Sequence, residues 1–252
     1  MHVTVYDGSG IRRPSEEQPL EKSTIQETLV SLYLRLNGYF VSGFIVHAPR
    51  RVRTEMDVLG VRFPQHKEPE REVLPDYRLC IPAAHIDFVI GEVKGGPGNV
   101  NFNTCFRSDE GAIRTVMQRF GAFDDSEIDR VCRTVSDVLD PRRLRQSNSF
   151  PELEISLCEA CGKQKAKLRF VPFAAEQRRA EKPNRPYVFE DDMLDFIWRC
   201  FRPIQQRDEC DTRYDFGHWG TQFAELVKYF KDTARAEPGG IQDIYQFMNA
   251  NG

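Results

Sequence analysis

Two residues at the end of one apolar stretch have types and spacing suited to chemistry. In His85-Ile86-Asp87-Phe88-Val89-Ile90-Gly91-Glu92-Val93-Lys94, the apolar Ile86, Phe88, Val89, Ile90 and Val93 lead into Glu92 and Lys94. The stretch reads as a β-strand, and Gly95-Gly96-Pro97-Gly98 ends it. A strand this apolar belongs at the centre of a sheet, covered on both faces. Side chains alternate along a strand, so Glu92 and Lys94 point to the same side. Charges on a buried strand are paired or bind a metal. The two therefore form either a structural ion pair at the sheet rim or half of a metal-dependent hydrolase site.

The elements that must position them follow from periodicity. A helix begins near Thr24, with Ile25, Leu29, Leu32 and Leu36 at helical spacing, Val30 and Leu34 on a second apolar side, and Asn37-Gly38 as its stop. Residues 39–47 and 52–63 read as strands joined by a short turn, which predicts a hairpin. In the second strand Glu55 and Asp57 share a face with Leu59, Val61 and Phe63. Residues 65–84 read as a surface loop, and residues 95–109 as a Gly/Asn-rich one. Helices are expected over 110–120 and 127–139, a polar linker with Arg142, Arg143 and Arg145 after them, and strands over 154–158 and 167–173. Residues 175–186 read as a loop. A helix carrying Leu194, Ile197, Trp198 and Phe201 comes next, then one over 222–230, and the tail beyond Pro238-Gly239-Gly240 forms a short helix or frays.

The order helix, strand, strand, strand, helix, with Asp57 on the second strand and Glu92-x-Lys94 on the third, resembles the PD-(D/E)xK (restriction-endonuclease-like) nuclease superfamily. The resemblance covers about residues 24–120, and Met56 stands where that family has its Pro. It implies an α/β fold: a restriction-endonuclease-like core with a mixed central β-sheet flanked by helices, plus a helical C-terminal extension. The expected layout is a lead-in over 1–22, the core over 23–174 and the extension, packed on the core, over 175–252. It also implies a metal-dependent endonuclease with Asp57, Glu92 and the Val93 carbonyl as ligands to Mg²⁺ (Mn²⁺ substituting), and Lys94 orienting the attacking water or stabilising phosphate charge. Hard oxygens suit Mg²⁺, which can neutralise a pentavalent phosphate and acidify a water. Glu27 on the first helix is a further candidate ligand and catalytic residue; against this, Thr24-Ile25-Gln26-Glu27 has the pattern of a capping box. Glu55 could stand behind Asp57, although a solvated rim charge is the favoured reading, and Gln118 could reach the site from the next helix, with an exposed helix position favoured over that. DNA is the expected substrate ahead of RNA, and the family makes a place in anti-phage defence an expectation. The alternative is a non-catalytic nuclease-fold scaffold or partner-binding subunit, with Trp198 and Phe201 on its docking surface.

Composition sets the outer limits. The chain has 252 residues, 29% of them charged, and a net charge of −3, so it does not advertise nucleic-acid binding through its total charge. Local basic clusters at Arg50, Arg51 and Arg53 and at Arg142, Arg143 and Arg145 are candidate phosphate contacts. With so little overall positive charge, a partner protein or a homo-oligomer is expected to help deliver the substrate. No apolar run is long enough to span a bilayer, and Met1–Gly10 is unlike a secretory signal, so no membrane and a cytoplasmic location are expected. Seven cysteines, at 80, 105, 132, 158, 161, 200 and 210, then read as reduced thiols. Cys158-x-x-Cys161 resembles one zinc knuckle but lacks a second; Cys200, Cys210 and His218 are the residues left to complete it, and zinc is not expected.

Overall fold

The sheet is built around β3 (Ile86–Lys94), an almost wholly buried strand. In this computed structural model, which describes residues 20–48, 51–67, 73–202, 219–232 and 236–251, the elements are α1 (Lys22–Leu36), β1 (Phe40–Ala48), β2 (Arg51–Arg62), β3, α2 (Thr104–Ser108), α3 (Glu110–Phe120), α4 (Asp125–Val138), α5 (Pro141–Gln146), β4 (Glu152–Ser156), β5 (Lys165–Ala174), β6 (Val188–Phe189), α6 (Glu190–Phe201), α7 (Thr221–Lys231) and α8 (Ile241–Asn251). The six strands form one open mixed sheet in the order β1-β2-β3-β5-β4, with β6 paired to β5. β1, β2 and β3 run antiparallel, β3 and β5 parallel. A parallel neighbour requires a long crossover, which α2–α5 supply.

Alternation along β3 and β5 divides the core in two. Phe88, Ile90, Leu168 and Phe170 face Ile113, Val116, Met117, Ile128, Val131 and Val135 of α3 and α4. Val89, Val93, Val171 and Phe173 face α1 and α6–α8, where Leu29, Tyr33, Phe196, Phe230 and Ile244 are buried. Gly91 lies between Val58 and Phe173: a Cβ there would stand 2.3 Å from Val58 Cγ1 and 2.9 Å from a Phe173 ring carbon. The sheet is an α/β architecture with helices on both faces.

Several expectations change in detail. The loop expected over 95–109 contains α2, capped by the Asn103 side chain, which accepts from the Cys105 N–H. The linker carrying Arg142, Arg143 and Arg145 is helix α5. Pro141 is the opening residue of this helix, where its missing N–H costs nothing, and Asp140 caps it. Residues 175–252 are not purely helical, because they supply β6, and α6–α8 share one apolar cluster with α1. Trp198 and Phe201 pack against that cluster instead of standing clear as a docking surface. Residues 1–19 of the expected lead-in lie outside the described residues, as does Arg50; the side chains of Arg51 and Arg53 do too. Among the described residues no helix is long and apolar enough to cross a membrane.

Candidate active site

The β2–β3 ladder runs from Arg62↔Asp87 to Val58↔Gly91 and stops there. One step further, the Val93 N–H donates to Asp57 Oδ2 at 2.6 Å. A side-chain carboxylate thus caps the amide where the ladder ends, and the two strands part around it. In an extended strand a residue's N–H and C=O face the same neighbour, so the Val93 carbonyl faces this gap as well. Glu92, 2% exposed, holds Lys94 Nζ at 2.7 Å, and Lys94 is 47% exposed. The Asn103 backbone, at the start of α2, also favours the charged form of Glu92.

Glu27 joins from α1. That helix starts at Lys22, with Glu21 at the N-cap and no side-chain cap, so Thr24 and Glu27 are interior residues and not a capping box. The apolar stripe of α1 is held against the sheet, which leaves Glu27 half-buried and within electrostatic reach of Asp57, Glu55 and Lys94. A groove of about 580 Å³ opens beside it, lined by Glu27, Phe44, Glu55, Asp57, Thr115 and Arg119 among others.

The electrostatics are those of too many carboxylates with too little water. Burial, followed by the charges of Asp57 and Glu55, raises the Glu27 pKa to about 7. Burial raises Asp57, against the lowering effects of the Val93 N–H and Lys94. Glu92 is also raised by burial, against its hydrogen bond with Lys94. Burial alone would lower the Lys94 ammonium; its hydrogen bond with Glu92 and the charges of Glu92, Asp57 and Glu27 outweigh that and raise it. The two partners of the ion pair are therefore unequal: desolvation falls on the enclosed Glu92, while Lys94 keeps its water.

This donor set suits a hard divalent cation. Asp57, Glu92 and the Val93 carbonyl offer oxygen, and Mg²⁺ needs only one or two carboxylates plus water. Among the described residues no three His, Cys, Asp or Glu side chains draw together as a ligand cluster, so Glu27 stands beside the Asp57–Glu92 pair without closing on it. Zinc has no such fit at Cys158 and Cys161. The two thiols meet across a 3-10 turn, and that contact, followed by burial, raises Cys161, but no third ligand joins them among the described residues. Cys200 lies on α6, while Cys210 and His218 lie outside the described residues.

Of the residues singled out from the sequence, the structure joins Asp57 to the Val93 N–H and Glu92 to Lys94, and leaves Glu27 beside them, within electrostatic reach of Asp57 and Lys94. Glu55 is exposed at the groove wall. Gln118 does not reach the groove: it is exposed, and α3 turns Thr115 and Arg119 there instead. Those two are one helical turn apart beside the apolar stripe of α3, so helix phase was the signal that could have found them. The Arg119 guanidinium rests 5.3 Å from the Phe44 ring centre, which holds a cation at the rim of an acidic groove. No family model, curated protein or solved structure matches the chain.

Proposed function

We propose that the chain is a Mg²⁺-dependent phosphodiester hydrolase of the PD-(D/E)xK type, with nucleic acid, DNA ahead of RNA, as its substrate. What carries this reading is the parting of β2 and β3 at Asp57, which sets two desolvated carboxylates and the Glu92-bound Lys94 around one gap. Asp57, Glu92 and the Val93 carbonyl would hold the cation, which when bound supplies charge neutralisation at phosphate and a more acidic water. The Val93 N–H fixes the Asp57 carboxylate, so it needs little reorganisation to bind. Lys94 keeps its proton and sits half-exposed, placed to orient a water or a phosphate oxygen and not to act as the base. Glu27, titrating near neutrality, is suited to accept a proton at the groove. Arg119, at the rim, is placed for a backbone phosphate further along the strand.

The test incubates purified protein with supercoiled plasmid, single-stranded DNA and RNA, in Mg²⁺, Mn²⁺ or EDTA. Cutting that needs the cation and disappears in Asp57→Asn and Lys94→Ala supports the proposal. Cutting that survives both variants overturns it.

A further inference from the structure

A second cavity, of about 530 Å³, shares no lining residue with the carboxylate groove and is lined by Tyr77, Arg78, Phe150, Arg169, Arg179, Arg185 and Tyr187 among others. Arg169 alternates with Leu168 and Phe170, which pack toward α3 and α4, so it faces away from those two helices. Four guanidinium groups around one cavity need a reason, because like charges repel. Their placement is built from within. Asp192, 2% exposed, forms an ion pair with Arg78, Nε lying 2.7 Å from Oδ1, and accepts from Arg179 Nε and Nη2 at 3.0 and 2.5 Å. The Phe189 N–H also donates to it, at 3.0 Å. One buried carboxylate therefore clamps two guanidinium groups side by side. Arg185 is held by its bond to the Arg145 carbonyl, and the Arg145 side chain lies close enough to act on Tyr187.

These arginines are not used up by their partners. Arg78 Nη2, Arg179 Nη1 and Arg185 Nε and Nη2 make no hydrogen bond among the described residues. The one carboxylate on the wall outside this clamp, Glu152, is taken by Lys167 Nζ at 2.8 Å. Forked N–H groups at fixed spacing match phosphate oxygens. Beside them stands Tyr77, 76% exposed, with the Arg78 guanidinium 4.8 Å from its ring centre. Phosphate-matching forks next to an open aromatic face suit a phosphate joined to a flat ring, and the volume is that of a small-ligand site.

We infer that this cavity binds a nucleoside phosphate, either a free nucleotide or the 5′-phosphorylated end of a nucleic acid, through Arg78, Arg179 and Arg185 with Tyr77 against the base. The inference does not depend on the hydrolase reading of the carboxylate groove. It is tested by calorimetric titration of the full chain in EDTA with AMP, adenosine, inorganic phosphate and a 5′-phosphorylated trinucleotide. AMP is expected to bind, phosphate to compete with it, and adenosine to bind at least tenfold more weakly. Arg185→Ala and Tyr77→Ala, both surface changes checked for folding by circular dichroism, should each weaken AMP at least tenfold, while Asp57→Asn leaves it unchanged. A trinucleotide tighter than AMP by tenfold or more assigns the pocket to nucleic-acid ends, and equal affinities assign it to free nucleotides. No AMP binding at millimolar concentration, adenosine as tight as AMP, both variants binding like wild type, or loss of AMP in Asp57→Asn would each overturn the inference.

Discussion

β3 carries a buried carboxylate near each end, and the two are treated in opposite ways. Asp87, at the start, is met by Arg169 in a two-pronged bond, Nε to Oδ1 at 2.8 Å and Nη2 to Oδ2 at 2.5 Å. The Tyr39 hydroxyl donates to the same carboxylate at 2.5 Å and accepts from Arg169 Nη2 at 2.9 Å, while Arg169 Nη1 donates to the Leu79 carbonyl at 2.5 Å. Arg169 is 1% exposed and every part of its guanidinium is engaged. Glu92, at the other end, has one half-exposed lysine and the Asn103 backbone, with Asp57 and Glu27 nearby adding negative charge. A buried charge whose partners are complete is structure. A group of buried carboxylates with unmatched charge costs the fold stability, and such groups mark sites where a ligand supplies the missing charge.

The largest expected effect breaks the complete end. Arg169→Ala leaves Asp87 buried without its partner and should destabilise by about 3–5 kcal/mol in urea unfolding. A loss under about 1 kcal/mol would show that the two ends are not so different. Gly91, next to Glu92, should cost about 1–3 kcal/mol as Gly91→Ala, because the added carbon meets Val58 and Phe173; a neutral result in the same assay would mean that the strands part more easily than the packing implies. At the incomplete end, Asp57→Asn should change stability by less than about 1 kcal/mol, since it removes a desolvated charge and little else. The same measurement showing several kcal/mol lost would make Asp57 structural.

The smallest effect concerns pH. The folded pKa of Glu27 is raised from the ordinary 4.5 to about 7, so the folded state holds a proton that the unfolded state has released across that window. Stability from this group is thus lost as pH rises from about 4.5 to about 7. Glu27→Gln, which mimics the protonated form, should flatten that slope and gain on wild type more at pH 8 than at pH 5 in thermal unfolding. A difference between variant and wild type that does not change with pH would separate Glu27 from the acidic group.

Much of the fold was legible because periodicity is local. The stripe of α1, the runs of β1 and β2, and the α3 sequence over 110–120 gave elements within two residues of those found. Asp57 and Glu92 were legible because charges inside apolar strands are conspicuous. What was not legible depends on tertiary placement. Thr24-Ile25-Gln26-Glu27 has the letters of a capping box, but the chain enters α1 two residues earlier, so Glu27 is left to face the site. Pro141 marks a helix stop and a helix start equally well until Asp140 is seen capping α5. Arg169 sits mid-strand in Lys167-Leu168-Arg169-Phe170, and nothing local says that Asp87 and Tyr39 wait for it across the sheet. Sequence leaves Gln118 open between the site and an exposed helix position; the packing of α3 puts it in solvent and turns Thr115 and Arg119 to the groove.

The most direct measurement is calorimetric titration with Mn²⁺ of wild type, Asp57→Asn, Glu92→Gln and Tyr77→Phe. Wild type and Tyr77→Phe should bind the ion alike, and the two site variants, still folded, should bind it at least tenfold more weakly. Equal Mn²⁺ affinity in all four proteins, or none in any of them, would contradict the assignment of the Asp57–Glu92 gap as a cation site.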